Sequence, residues 1–164
     1  MKKNLLLDNQ LCFALYSASN SIIRYYSQFL NPLGVTYTQY LVIISFENNE
    51  NQTIQKIADK LNLNASTISP VIKRLVNVGF IDKTRGQGDE RIVMVSMTEK
   101  GKALHQKLSE VQEIVFCKSG LSEFEFKRIH NELKTLSNKF KLKETEPPKK
   151  ISNVSWIFFL NNIN

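Results

Sequence analysis

Apolar residues recur at helical spacing through much of the chain, and short polar stretches separate the resulting blocks. A first helix is predicted to begin after Asp8, a residue type that caps helices well, and to end near Leu30, where "NPLG" introduces proline and glycine. Its apolar side is formed by Leu11, Leu15, Ile22 and Phe29. A second helix, from Tyr37 to Asn48, is almost entirely apolar and is therefore expected to be deeply buried.

Two short helices are predicted next. The first, in "TIQKIADKLN", is capped by Thr53 and ends in a turn at Asn62, and the second runs from Asn64 as N-cap to Gly79 as stop signal. The inner stripe of the second helix comprises Ala65, Ile68, Ile72 and Leu75. Pro70 lies inside this pattern, so the helix is expected either to kink there or to begin later, between Ser66 and Ser69.

The pattern then changes to alternation. "FIDKT" and "RIVMVSM" are predicted to be two strands of a hairpin whose connection, "RGQGDE", is glycine-rich. Thr98 is expected to cap a further helix that ends near Cys117. Ser122 and Glu125 form a capping-box pattern for a last helix that ends near Leu142.

These elements predict a mainly α protein with a small β-hairpin wing, the winged helix-turn-helix arrangement with a helical dimerisation arm. Residues 1–36 and 98–142 are expected to form the dimerisation region and residues 37–97 the winged helix-turn-helix lobe. Residues 143–164 form a C-terminal tail, for which docking on the body and disorder both remain open.

Charge adds a modest argument for a polyanionic partner. The 164 residues carry a formal charge of +7 and an isoelectric point near 9.4. Residues 53 to 101 hold eight Lys or Arg and five Asp or Glu, a net of +3, and residues 139 to 150 contribute another +3. Since the excess charge is spread along the chain, it supports nucleic-acid binding only weakly by itself.

The helix pair and the hairpin together give the stronger argument for double-stranded DNA. A helix with small hydroxyls, amides and cations on its outer face fits the major groove, and basic residues on a hairpin reach phosphates or the minor groove. The candidate DNA-binding residues are Asn64, Ser66, Thr67, Ser69, Lys73, Arg74, Arg85, Asp89 and Arg91. The alternative is a helical hairpin whose outer face is merely solvated.

Two cysteines are too few for a disulfide scaffold, and the chain shows neither a secretory signal nor a run of about 20 apolar residues that would cross a bilayer. We therefore expect a cytoplasmic protein with reduced thiols and no membrane partner. His105 and His130 stand alone, and no phosphate-binding loop or catalytic triad pattern is present. The sequence thus predicts no metal, no cofactor and no enzymatic activity.

Cys12 is the candidate reactive group, because a position near a helix N-terminus favours a thiolate and a thiolate reduces peroxides. Tyr16 lies four residues on, on the same helical face. Tyr26 is fourteen residues away, roughly 21 Å along the same helix, so it cannot easily reach this sulfur. The alternative is that Cys12 is a small hydrophobe in an apolar stripe.

The stretch "LNLNASTISPVIKRLVNVGFIDKTRGQGDERIVMVSMTEKG" resembles the core of the MarR family of bacterial transcription regulators. "LDNQLCFALY" and "LGVTYTQYLV" are similar to the OhrR branch, the organic-hydroperoxide-sensing repressors. Related staphylococcal global regulators share this N-terminal cysteine block. Where the family usually has Asp-Ser-Gly-Thr, this chain has Asn64, Ala65, Ser66 and Thr67. We therefore do not expect it to prefer the same operator bases as other family members.

The resemblance implies an obligate homodimer that binds a pseudo-palindromic operator. It also implies that Tyr26 and Tyr37 are partners of the Cys12 thiolate, which agrees with the helix geometry if they come from the other subunit. Cys117 resembles the resolving cysteine of two-cysteine members, although a chance cysteine beside Phe116 is the alternative.

The primary hypothesis is a repressor that releases DNA after an organic hydroperoxide oxidises Cys12. Cys117 of the partner subunit then reacts with the oxidised Cys12. A second hypothesis replaces the trigger by a small aromatic or lipophilic ligand and makes Cys12 structural. A third, a thiol peroxidase, is disfavoured because no substrate cleft or recycling partner is indicated.

Overall fold

The computed structural model describes residues 6–46, 51–85 and 93–140. Within these ranges the chain contains six α-helices and three short strands, so the expected mainly helical fold with a small β-wing is confirmed. The elements up to residue 120 are α1 (Leu11–Leu30), α2 (Tyr37–Ile44), β1 (Gln52–Thr53), α3 (Ile54–Leu61), α4 (Ala65–Asn77), β2 (Ile81–Arg85), β3 (Val93–Met97) and α5 (Glu99–Ser119). The sixth helix, α6 (Glu123–Phe140), belongs to a second compact unit. The C-terminal tail over residues 143–164 lies outside the described residues.

The first helix begins later than the sequence suggested. Asp8 lies in a short 3-10 helix (Leu7–Asn9), and Gln10, in extended conformation and without a side-chain capping bond, precedes α1. The expectation that Asp8 is the N-cap was therefore wrong. The amide of Gln10 bonds to the carbonyl of Leu7 and closes a 3-10 turn before the helix starts. Asp8 lies inside this turn, so it does not occupy the N-cap position of α1.

Threonine hydroxyls begin three of the helices. Thr36 and Gln39 form a full capping box at the start of α2, a cap the sequence analysis did not identify. The hydroxyl of Thr53 accepts the amide of Lys56 at 3.0 Å and begins α3, as expected. Thr98 accepts the amide of Gly101 at 3.0 Å and also donates to the carbonyl of Gly79 at 2.7 Å. This second bond ties the start of α5 to the turn after α4.

The sheet has the order β1-β3-β2 and is antiparallel throughout. β2 and β3 form the expected hairpin, with Ile81 opposite Met97 and Arg85 opposite Val93. β1 was not expected, since a two-residue strand has no periodicity to detect. It exists because Gln52 and Thr53 pair with Val95 and Met94 of β3.

One hydrophobic core holds the unit of residues up to 120. Buried apolar side chains come from the end of α1, from α2 to α4, from the sheet and from α5. The inner stripe of α4 is as expected, with Ile68, Ile72 and Leu75 almost fully buried and Ala65 partly so. Burial of this stripe determines which face of α4 points outward, and hence which side chains are accessible to a binding partner.

The second unit is described by the single helix α6. Ser122 and Glu125 form the expected capping box, with Ser122 donating from its amide at 2.9 Å and from its hydroxyl at 2.6 Å to the Glu125 carboxylate. Hydrogen bonds from Ser122 hold the pKa of Glu125 below its ordinary value. None of the helix residues is buried in this chain, and its apolar side is open: Phe126, Ile129, Leu133 and Phe140.

Candidate nucleic-acid interface and thiol site

The outer face of α4 is a row of polar and cationic side chains. All of the following are exposed: Ser66, Thr67, Ser69, Lys73, Arg74 and Asn77. No carboxylate among the described residues pairs with Lys73 or Arg74. Asn64 occupies the N-cap position in extended conformation, yet its side chain makes no capping bond. Within the described ranges, Lys73 and Arg74 thus have no ion-pair partner, and the Asn64 side chain does not cap α4.

Ser69 and Pro70 both affect the main-chain hydrogen bonding of α4. Ser69 donates its hydroxyl to the carbonyl of Ala65 at 2.9 Å and so lies back along the helix. Pro70 lies inside α4, which runs continuously from Ala65 to Asn77, so the alternative of a later start does not hold. Because proline has no amide hydrogen, the carbonyl of Ser66 cannot receive the bond that residue 70 would otherwise donate.

The wing is described only in part. Asp82, Lys83 and Thr84 on β2 are exposed, and the backbone of Arg85 ends that strand. Asp89 and Arg91 lie outside the described residues, so their expected DNA contacts stay predictions.

Cys12 is the second residue of α1 and is a free, exposed thiol. The first amide groups of an α-helix have no intrahelical acceptor, and the N-terminal end of the helix dipole is positive. The first turn of α1 contains no acidic residue that would compensate this charge. The Cys12 sulfur therefore lies at the positive end of the α1 dipole. Tyr16, one turn on, is 65% exposed.

The other end of α1 carries a cluster of phenol rings. Tyr26 of α1 packs against Tyr37 and Tyr40 of α2 with ring centroids 5.3 and 5.2 Å apart, and the rings of Tyr37 and Tyr40 are 5.7 Å apart. Burial, followed by the nearby Tyr26, raises the pKa of Tyr37. Burial raises the pKa of Tyr40 above its ordinary value, and the neighbouring Tyr26 and Tyr37 add to that rise. The three rings thus form one cluster that packs on the hydrophobic core.

The structure brings together some expected site residues and separates others. Tyr26 and Tyr37 meet, as a shared role requires, but Cys12 lies at the opposite end of the 20-residue helix α1, roughly 21 Å along its axis from Tyr26. Cys117 is a free, exposed thiol in the last turn of α5 and is not joined to Cys12. Tyr40 was not among the expected site residues. Its spacing of three residues from Tyr37 on a helix was the available signal that the two share a face.

The described residues contain no group of three or more His, Cys, Asp or Glu side chains that could hold a metal ion. None of the helices in the same ranges is long and apolar enough to cross a membrane.

Comparison with known proteins gives a consistent result. The family model "Transcriptional regulator SarA/Rot" matches residues 24–108. The HTH-type transcriptional regulator SarZ of Staphylococcus aureus is 36% identical over 137 residues, which cover 84% of this chain and 93% of SarZ. These relatives are regulators and not enzymes.

Solved structures agree. Reduced AbfR bound to DNA shows 32% identity and a TM-score of 0.67, covering 85% of this chain and 98% of AbfR, and overoxidised AbfR bound to DNA gives the same values. Disulfide-formed AbfR shows 31% identity and a TM-score of 0.58, covering 79% of this chain and 91% of AbfR. MarR from E. coli in complex with operator DNA, at 20% identity, a TM-score of 0.67 and coverage of 77% and 92%, shares the fold.

The resemblance to MarR-type regulators is confirmed for the winged-helix fold, while the organic-hydroperoxide branch stays a prediction. The matched residues include α2 to α4, the sheet and the start of α5, which build the exposed face of α4 and the wing. The chain belongs to the SarA/Rot family of transcriptional regulators.

Proposed function

We propose that this chain is a homodimeric DNA-binding repressor whose hold on its operator is controlled by oxidation of Cys12. The observation that carries the proposal is the position of this residue: an exposed thiol at the second position of a long helix without an acidic first turn. Its relative AbfR has been solved in reduced, overoxidised and disulfide forms, two of them on DNA, which supports a redox switch in this family. Such a regulator works in the cytoplasm, beside the chromosome and among reduced thiols.

The helical segments carry the dimer. Residues 1–36 and 98–142 form the arm and residues 37–97 the DNA-binding lobe. Support comes from large apolar side chains left exposed on α1, among them Leu11 and Ile22, and on α5, where Ile114 is 43% exposed. Exposed apolar faces of this kind mark association surfaces. Antiparallel pairing of two α1 helices across a two-fold axis would bring Cys12 of one subunit to the Tyr26 and Tyr37 end of its partner.

DNA binding uses α4 in the major groove and the wing alongside it. Ser66 and Thr67 approach base edges, Asn64 and Ser69 lie at the same end, and Lys73 and Arg74 neutralise phosphates. Arg85, Asp89 and Arg91 complete the contacts from the wing. The two subunits each read one half of a pseudo-palindrome.

The switch consists of two balanced steps. The Cys12 thiolate attacks the terminal oxygen of an organic hydroperoxide, so that an S–O bond forms, the O–O bond breaks and the alkoxide takes up a proton and leaves as an alcohol. Sulfur is thereby oxidised to a sulfenic acid. The Cys117 thiolate of the partner subunit then attacks this sulfur, forming a disulfide and expelling hydroxide, which leaves as water. Tyr26, Tyr37 and Tyr16 donate hydrogen bonds to the reacting sulfur and oxygen.

The test measures binding to a duplex selected from a random pool by the reduced native protein. We expect cumene hydroperoxide to weaken native binding by about tenfold or more, a usual size for an allosteric coupling, and dithiothreitol to restore it. Cys12→Ser should bind DNA and ignore the peroxide, while Cys117→Ser should gain the mass of one oxygen atom without forming a disulfide.

Equal loss of binding in native protein and in Cys12→Ser would contradict the proposal. Release by salicylate-like compounds together with insensitivity to peroxide would replace it by a ligand-controlled repressor.

A further inference from the structure

The turn after α4 presents three consecutive main-chain carbonyl groups, and the start of α5 donates a hydrogen bond to each of them. The hydroxyl of Thr98 donates to the carbonyl of Gly79 at 2.7 Å, and its amide donates to the carbonyl of Phe80 at 3.1 Å. The ammonium group of Lys100 donates to the carbonyl of Val78 at 2.8 Å. We call this set of three bonds the α4–α5 junction.

The turn that carries these carbonyls is itself bonded to α4. Gly79, with a φ of +76°, donates its amide to the carbonyl of Val76 at 2.9 Å, and the amide of Phe80 donates to the carbonyl of Leu75 at 2.9 Å. This pair of bonds is the Schellman arrangement that ends many α-helices. The turn therefore moves with α4, and any group bonded to its carbonyls is connected to the end of that helix.

Lys100 stands at a position that its own helix disfavours. It is the second residue of α5, where the positive end of the helix dipole repels a cation. The last carbonyls of α4 form the negative end of a second dipole, and the Nζ of Lys100 donates to one of them, that of Val78. The position of this cation is thus explained by α4 and not by α5.

The same helix carries the second thiol at its other end. α5 runs without interruption over Glu99–Ser119, so Cys117 lies in its last turn, roughly 28 Å along the axis from Thr98. Leu104 and Leu108 of its first half are buried in the hydrophobic core. Because a continuous helix is a rigid element, a displacement at the Cys117 end is carried to the junction at its start.

We propose that Thr98 and Lys100 are positioning residues of the regulator: their bonds make the start of α5 and the end of α4 move together, so that displacement of α5 turns α4 away from its DNA-binding orientation. This inference rests on the proposed function, because it takes the disulfide formed by Cys117 as the cause of the displacement. It assigns the coupling between thiols and DNA to hydrogen bonds that single substitutions can remove.

Substitutions of Thr98 separate this coupling from helix capping. The Thr98 hydroxyl also accepts the amide of Gly101 at 3.0 Å, which begins α5. At neutral pH, Thr98→Asp keeps an acceptor for that amide but has no hydrogen to donate to Gly79, whereas Thr98→Ser keeps both functions.

Affinity for the selected duplex is measured in the reduced protein and after treatment with cumene hydroperoxide, and non-reducing electrophoresis verifies the disulfide. We expect oxidation to weaken binding by about tenfold or more in the native chain and in Thr98→Ser, but by about threefold or less in Thr98→Asp.

Lys100→Met tests the second contact without changing the hydroxyl. It keeps an unbranched apolar chain near the Phe80 ring and removes the ammonium group, so the effect of oxidation on affinity should again fall to about threefold or less. The slope of log K against log salt concentration should stay unchanged, because Nζ binds Val78 and not a phosphate. Lys107→Met, at an exposed position of the same helix, is the matched control and should change neither quantity.

A full effect of oxidation in both Thr98→Asp and Lys100→Met, with only a lower melting temperature, would identify the junction as a purely structural contact and overturn the inference. A smaller salt slope in Lys100→Met would assign Lys100 to a phosphate and likewise overturn its positioning role.

Failure of the native protein to lose DNA affinity on oxidation would instead overturn the proposed function. Hydrogen exchange in the reduced protein tests the junction separately from the thiols. DNA binding should slow exchange of the amides in the first two turns of α5 in the native chain and in Thr98→Ser, but not in Thr98→Asp. Equal slowing in all three proteins would contradict a connection through Thr98.

Discussion

Gly101 lies so close to the backbone carbonyl of Phe80 that a Cβ at position 101 would stand 2.1 Å from that oxygen. Lys100 strengthens the same junction, with its Nζ 4.7 Å from the centroid of the Phe80 ring and donating to the carbonyl of Val78 at 2.8 Å. With the bond from Thr98 to the carbonyl of Gly79, these contacts fix the start of α5 on the turn that follows α4. The junction connects α4, whose outer face is the candidate DNA-binding surface, to α5, which belongs to the expected dimer arm.

Gly101→Ala should lower the free energy of unfolding by about 1 to 3 kcal/mol, because backbone must move to admit the methyl group. Helix propensity alone predicts the opposite sign, a gain of up to about 1 kcal/mol. Urea unfolding measures the difference. Gln106→Ala, at an exposed position of the same helix, should change stability by less than about 0.5 kcal/mol. A Gly101→Ala protein as stable as the native one would refute the close contact.

A second prediction concerns Gln52, which is 1% exposed and whose Oε1 has no hydrogen-bond partner among the residues that the structure describes. Its Nε2 donates to the carbonyl of Ser45 at 3.2 Å, but Lys60 also donates to that carbonyl from Nζ at 2.9 Å. Gln52→Met should therefore leave stability unchanged or raise it by up to about 1 kcal/mol, since an unsatisfied buried oxygen is removed.

Gln52→Ala serves as the comparison. The cavity it leaves should lower the free energy of unfolding by about 2 kcal/mol or more. If thermal denaturation showed Gln52→Met to be as damaging as Gln52→Ala, the glutamine amide would matter more than the space it fills.

Lys73→Ala should weaken binding to all duplexes to a similar degree and reduce the salt dependence of log K by about one unit, as expected for one lost phosphate contact. Fluorescence anisotropy over a range of salt concentrations gives both quantities. Lys107→Ala, an exposed cation on α5, should leave the salt slope nearly unchanged. An equal change for both lysines would point to a general charge effect instead of a contact made by α4.

The capping box of α6 should respond to acid. The pKa of Glu125 is lowered from an ordinary value of 4.5 by its bonds with Ser122, so the carboxylate stabilises the helix start fully above that value. Its contribution is lost as the pH falls through the lowered folded-state pKa. The amide nitrogen resonance of Ser122 should follow this titration by NMR, and it should cease to do so in Glu125→Gln. Glu132→Gln, farther along the same helix, should leave the titration intact.

The elements that were correct in advance are those whose information is local. α3, α4 and α5 were predicted because Thr53, Asn64 and Thr98 stand at helix starts and apolar residues follow at helical spacing. The hairpin was predicted because the apolar period changes from helical to alternating. The polar outer face of α4 then followed directly, because burial of Ile68 and Ile72 leaves little choice of orientation.

What the sequence did not reveal depends on contacts between distant residues. β1 is a strand only because Gln52 pairs with Val95, and Tyr40 lies among phenol rings only because Tyr26 of another helix packs on it. Asp8 was assigned as a cap because propensity ranks residue types, whereas the turn at Leu7 to Asn9 settled where α1 begins.

Pro70 has a consequence for how operator preference can evolve. The bond that Pro70 cannot donate would go to the main-chain oxygen of Ser66, so replacing the Ser66 side chain does not restore it. Every variant that keeps Pro70 therefore lacks this bond near the N-terminal end of α4. Substitutions among the neighbouring hydroxyls would then retune recognition around one constant feature.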